Sequence, residues 1–232
     1  MTNMMDNNYN YQKDANILCL LEDIEYCERK EALFKIVNEF QKNGIRYGLA
    51  CSMNLFLNGI VDEFHDLDFI VELEDIKKVK EIMERSGAIL KETGGNGYCE
   101  SDAYMHFQFG RVDVDIISGF RLVTFGTNFL YKFNENEITF CYIKNFTIPL
   151  IPLEALYLLY YMMEGWQPKR RYKRKLIEQY LIVEGLSFSS ILENSLKTEL
   201  PPWVKKQVKL LLNWLKKQEI NSLLFFQFIT PH

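Results

Sequence analysis

Between residues 45 and 143 the chain alternates short runs rich in β-branched and aromatic residues with Gly and Asn clusters, a pattern that predicts strands over 45–50, 67–73, 104–109, 111–117 and 137–143. The intervening stretches 28–43, 53–57 and 76–85 carry apolar residues at helical spacing. In the last of these Ile76, Val79, Ile82 and Met83 share one face, and Gly87 follows as a C-terminal stop. After Pro152 the period changes, and helices are predicted over 153–164, 173–184, 187–197, 201–217 and 220–228 with no further strand. Pro149 and Pro152 disfavour continuous helix between the two patterns. The chain therefore reads as α+β: an N-terminal extension over 1–27, a mixed α/β domain over 28–148 and a helical C-terminal domain over 149–232.

Composition narrows the function classes. An apolar share of 48% and a charged share of 25% are those of a folding globular chain. The 27 Lys and Arg against 31 Asp and Glu argue against a protein that coats nucleic acid by bulk charge. The Asn-rich, acidic start is unlike a secretory leader, and the apolar stretch over 148–163, broken by Pro149, Pro152 and Glu154, is too short for a membrane span. Cys19, Cys27, Cys51, Cys99 and Cys141 contain no Cys-x-x-Cys pair and suggest neither a disulfide framework nor a zinc site. The cytoplasm is the expected compartment.

Chemistry concentrates in two acidic runs. In His65-Asp66-Leu67-Asp68-Phe69, alternation puts Asp66 and Asp68 on one face and Leu67 and Phe69 on the other. Gly110-Arg111-Val112-Asp113-Val114-Asp115-Ile116 repeats the arrangement with Asp113 and Asp115. A solvated sheet face would accommodate either run alone. If the two strands are neighbours, three or four carboxylates converge, and like charges so close call for a hard cation such as Mg²⁺. Two such ions could clamp an in-line phosphoryl displacement.

A small-residue turn with Ser52, a short helix, Asp-x-Asp and a later strand Asp resemble the nucleotidyltransferase superfamily related to DNA polymerase beta. Within it, the chain is similar to small bacterial aminoglycoside and lincosamide nucleotidyltransferase-type proteins. The resemblance runs from about Tyr47 to Gly119. It implies a mixed sheet flanked by helices and followed by a helical domain. It also implies transfer of a nucleoside monophosphate from an NTP to an acceptor hydroxyl or phosphate, with release of pyrophosphate. Asp66 and Asp68 match the ligands for Mg²⁺, with Mn²⁺ as its substitute. The third carboxylate, also a candidate general base, is Asp113 in one alignment and Asp115 in the other. Cys51 and Ser52 fall in the phosphate turn, where a helix N-terminus would meet the triphosphate; an ordinary helix cap would equally explain Ser52. Two departures stand out. Ala50-Cys51 replaces the usual Gly-Gly and is expected to forbid positive φ, and Asp62-Glu63-Phe64-His65 lacks the usual Arg and Thr.

Downstream, residues 169–175 hold six cations in seven positions. Arg171, Arg174 and Lys175 are the candidates for contact with the triphosphate, since Arg suits bidentate phosphate binding. A solvated helix face is the competing reading, and an RNA interface is weakly supported without aromatic interleaving. Gly94-Gly95-Asn96-Gly97 matches no phosphate-loop pattern and reads as a turn. His65 and the Tyr157, Tyr160, Tyr161 group are read as structural. Sequence alone thus favours a Mg²⁺-dependent nucleotidyltransferase with an NTP and an acceptor such as an antibiotic or sugar as partners. The alternative is a catalytically silent relative of the same fold that binds an anionic partner.

Overall fold

The computed structural model describes residues 6–94, 101–124, 127–164 and 167–229. Thus Gly95 to Gly97 of the expected turn, and Cys99, lie outside the described residues. Helix α1 (Asp6–Glu22) leads into α2 (Cys27–Lys42), β1 (Tyr47–Ala50), α3 (Cys51–Leu57), β2 (Leu67–Val71) and α4 (Ile76–Arg85). Strands β3 (Ile89–Thr93), β4 (Ala103–Phe109) and β5 (Val112–Ser118) follow, then the hairpin β6 (Phe120–Thr124) and β7 (Thr127–Tyr131). Strands β8 (Thr139–Ile143) and β9 (Phe146–Leu150) precede the helices α5 (Leu153–Glu164), α6 (Arg170–Glu184), α7 (Ser189–Ser195) and α8 (Pro202–Ile229).

Seven strands form one mixed sheet in the order β3-β4-β5-β2-β1-β9-β8. Strand β2 lies antiparallel to β1 and parallel to β5, and β9 lies parallel to β1. Alternation along the central strands splits their side chains between two layers. Leu49, Leu67, Phe69, Val114 and Ile116 pack beneath α2 and α4, where Val79, Ile82 and Met83 form the buried stripe expected from the sequence. Ala50, Ile70 and Ile117 face the opposite way, into a second cluster built with α5, α6, α7 and α8. Full burial of each Leu, Ile or Phe contributes roughly 1.5–3 kcal/mol, so the two layers hold the sheet from both sides.

The structure adds strands β3, β6 and β7, which the sequence reading did not expect, and differs from it in three further places. First, β9 occupies residues where the helical part was expected to begin, so the division at 148/149 falls inside a strand. Pro149 pairs with Phe140 of β8, and the chain leaves the sheet at Ile151, whose amide donates to the Leu49 carbonyl at 3.0 Å. Second, part of the extension over 1–27 is helix α1, which buries Leu20 and Asn16. Asn16 donates to the carbonyls of Phe56 and Val61, at 2.7 and 2.9 Å, and Gly59, at φ +71°, has no room for a Cβ against the α1 backbone at Tyr9 and Lys13. Its largely polar sequence concealed this helix. Third, the two expected C-terminal helices are one continuous element, α8. No helix among the described residues is long and apolar enough to cross a membrane.

Candidate active site

The carboxylates sit where β1, β2 and β5 lie side by side. Phe64, fully buried, stacks on Tyr26 with ring centroids 5.1 Å apart and packs on Phe56 at 5.0 Å, which anchors the loop entering β2 and sets Asp66 at the strand's mouth. Ser52 donates its hydroxyl to Asp66 Oδ1 at 2.9 Å. Ala50, not Ser52, holds the cap position of α3, so the simple capping explanation of Ser52 is replaced by its bond to the carboxylate. Buried Asn54 ties α3 down by donating to the Leu49 and Ile151 carbonyls, both at 2.8 Å.

Register separates the two candidates on β5 in space. Asp68 pairs directly with Asp115, on the same sheet face as Ile70 and Ile117. Asp115 Oδ1 accepts from the Tyr104 hydroxyl at 3.0 Å, and His106 Nδ1 lies 2.7 Å from the same oxygen. Asp113 stands at the exposed start of β5, 3.5 Å from His106 Nε2, on the same face as Asp115 but two residues nearer the strand's open end. The structure therefore brings Asp66, Asp68 and Asp115 together and leaves Asp113 at the rim.

Asp68 is only 7% exposed, and no described residue donates a hydrogen bond to it. Burial, then the neighbouring charges of Asp66 and Asp115, push its carboxyl well above the usual range; Arg170 and Lys173 oppose the shift without cancelling it. Burial also raises Asp115, against the hydrogen bonds from His106 and Tyr104. Among the described residues no three His, Cys, Asp or Glu side chains form a ready-made metal cage. Mg²⁺ does not require one, because it takes one or two carboxylates and completes its shell with phosphates and water. The donor set fits such an ion: all its groups are hard oxygens, and Arg170 and Lys173 offset the buried Asp68 charge only in part.

Across from the carboxylates a cavity of about 310 Å³ is walled by Cys51, Ser52, Asp66 and Asp68 on the sheet side and by Lys169, Arg170 and Lys173 from the start of α6. Cations in a helix's first turn oppose the macrodipole, and α6 has no acidic residue there to offset them. The residues that face the cavity are not those expected. Arg174 is buried, held by Glu164 at 2.8 Å and by Glu178, and stacked 4.5 Å from the Tyr161 ring centre. Arg171 also binds Glu164, at 3.1 Å, and Lys175 is exposed away from the cavity. Helical spacing puts Lys169, Arg170 and Lys173 on one face and Arg171, Arg174 and Glu178 on another. The run itself was visible in the sequence; Glu164 and Glu178, which claim its other face, were the signal that could have divided it.

Cys51 adopts φ +48°. The turn thus keeps the left-handed conformation that glycine would supply, contrary to the expectation that a non-glycine residue would forbid it. His65, expected to be structural, is an exposed side chain on the cavity rim. The aromatic group on α5 behaves as expected for Tyr157 and Tyr160, both fully buried, although neither hydroxyl has a hydrogen-bond partner among the described residues.

No protein-family profile matches the sequence, and no curated protein does. Solved structures do. A candidate nucleotidyltransferase from Thermotoga maritima aligns with a TM-score of 0.50 and 19% identity over 66% of this chain and 92% of its own. The antibiotic-resistance factor ANT(2'')-Ia in solution aligns at 0.49 and 12% over 82% and 95%, and the lincosamide antibiotic adenylyltransferase LnuA with lincomycin bound at 0.44 and 17% over 64% and 95%. The fold comparison rests on the first of these. Taken with the mixed sheet and its flanking helices, that likeness identifies the chain as having a nucleotidyltransferase-like fold.

Proposed function

We propose that this chain is a metal-dependent nucleotidyltransferase that moves a nucleoside monophosphate from an NTP to an acceptor hydroxyl. The observation that carries the reading is buried Asp68, without a hydrogen-bond donor among the described residues, beside Asp66 and Asp115 and facing Lys169, Arg170 and Lys173 across one cavity. An acidic wall and a basic wall a short distance apart suit a ligand that is itself a cation and polyanion pair, as a metal triphosphate is.

Asp66 and Asp68 would hold Mg²⁺ or Mn²⁺, with Asp115 beside them. When bound, such an ion supplies charge neutralisation and polarises the α-phosphoryl oxygens. Lys169, Arg170 and Lys173 bind the phosphate chain and favour departure of pyrophosphate. Ser52 fixes Asp66 through its hydroxyl. Tyr104 and His106 both engage Oδ1 of Asp115, which fixes the carboxylate's rotation and leaves Oδ2 to accept the proton of the acceptor hydroxyl. In the transfer the acceptor oxygen bonds to the α-phosphorus, the bond from that phosphorus to the bridging oxygen breaks, and the proton passes to Asp115. A small hydroxylated molecule such as an antibiotic or sugar, the class expected from the sequence, is the first acceptor to screen.

Calorimetric titration of the full chain with each of the four NTPs, with and without Mg²⁺ or Mn²⁺, tests the reading without a known acceptor. Metal-dependent binding that disappears in an Asp66→Asn, Asp68→Asn double variant is expected. A wild-type protein that binds no NTP with either ion would defeat the enzymatic reading and leave a binding module of the same fold.

A further inference from the structure

The metal triphosphate cavity has a neighbour. A second cavity of about 540 Å³ adjoins it and shares three of its lining residues, His65, Tyr172 and Lys173. Two of the three are rings, and both are open to solvent: Tyr172 is 67% exposed and the His65 side chain 72%. Among the described residues neither ring stacks on another aromatic side chain. Tyr172 belongs to the same first turns of α6 as Arg170, two positions before it, and Lys173, directly after it, and all three line the first cavity.

A cavity of about 310 Å³ lies at the lower end of ligand-site volumes, which run from ~300 to ~1,000 Å³. A triphosphate with its metal would take up much of such a space, and the nucleoside would then extend past the two shared rings toward the second cavity. Beyond the passage, Tyr26, Ile60 and Val61 supply apolar surface, while Asp62 and Glu63 supply hydrogen-bond acceptors. That combination suits a flat heterocycle carrying amino groups.

Resting on the nucleotidyltransferase reading, we infer that Tyr172 and His65 hold the base of the NTP at the passage between the two cavities, with Tyr172 as the stacking platform. Base–aromatic stacking is sequence-tolerant and weakens binding by about 5- to 100-fold when the ring is removed. The contact is separable from phosphate binding, because the cations act on the phosphate chain alone.

Calorimetry of the full chain with Mg²⁺ and either ATP or inorganic tripolyphosphate tests this. Tyr172→Ala is expected to weaken ATP about 5- to 100-fold and to leave tripolyphosphate within about twofold of wild type. Tyr172→Phe is expected to retain ATP affinity, since the π face and not the hydroxyl is used, and His65→Ala to lose less than Tyr172→Ala. The inference is overturned if Tyr172→Ala binds ATP like wild type or if it loses both ligands equally. Wild type binding tripolyphosphate but no NTP overturns it while leaving the phosphate site in place. Wild type binding neither ligand overturns the underlying reading as well.

Discussion

Replacing Asp68 with Asn separates stability from function. The carboxylate is 7% exposed and faces Asp115 on the adjacent strand, with strands spaced ~4.8 Å apart. Two unit charges ~5 Å apart repel by roughly 3 kcal/mol at an effective dielectric constant of about 20, before the opposing field of Arg170 and Lys173 is counted. The amide removes this repulsion and can donate to either neighbouring carboxylate. A net gain of about 1–2 kcal/mol follows, or about 2–8 °C in Tm for a chain of this size. The pH dependence has a definite sign. The folded state holds the Asp68 proton to higher pH than the unfolded state, whose carboxyl titrates near 3.8. The wild type therefore loses stability as pH rises from about 4 through the raised folded value, and the Asn variant does not. Thermal melts in chelator should show the variant ahead at pH 8 and level with wild type near pH 4. Added Mg²⁺ should raise the wild-type melt and leave the variant unmoved. A lower Tm for Asp68→Asn at pH 8, or a gap independent of pH, would refute the picture of an uncompensated buried charge.

Other perturbations test neighbouring steps. Cys51→Gly should be neutral or stabilising by up to about 1 kcal/mol in urea melts, because relief of about 1–2 kcal/mol at φ +48° exceeds glycine's entropic cost of about 0.5–1 kcal/mol; a loss beyond about 1 kcal/mol would contradict the strain argument. Arg174→Met leaves Glu164 with Arg171 and Glu178 with Gln207 as partners, and should cost about 3 kcal/mol, the low end for a broken buried pair. Lys173→Met, by contrast, should leave the melt nearly unchanged and weaken Mg²⁺-dependent NTP binding at least about tenfold. If Lys173→Met leaves that binding intact, the assignment of cations on α6 is wrong. Tyr160→Phe removes a buried hydroxyl that has no partner, and chemical denaturation should show a gain of about 1 kcal/mol or more.

Much of the fold was legible because the informative patterns are local. The period-2 alternation of Val112, Val114 and Ile116 against Asp113 and Asp115 marks β5, and the stripe of Val79, Ile82 and Met83 marks α4. Elements without such contrast escaped. Strand β3 is mostly exposed at the sheet edge, and its Lys91, Glu92 and Thr93 resemble a loop. Helix α1 is anchored chiefly by Asn16, Leu20 and close backbone approach to Gly59, none of which produces a wide apolar stripe. Strand β9 contains a proline, which is tolerated there but argues against a central strand on local grounds.

By itself the sequence determined that Asp66 and Asp68 share a face, that Asp113 and Asp115 share another, and that a dense basic run opens a later helix. Side-chain direction along a single strand or helix depends only on its own period. Partnership was decided by the tertiary structure. The parallel register of β2 and β5 places Asp115, and not Asp113, opposite Asp68. Glu164 and Glu178 draw Arg171 and Arg174 to one side of α6 and leave Lys169, Arg170 and Lys173 for the cavity. Both choices are made by groups distant in the chain, through strand pairing and charge pairing that no local period records.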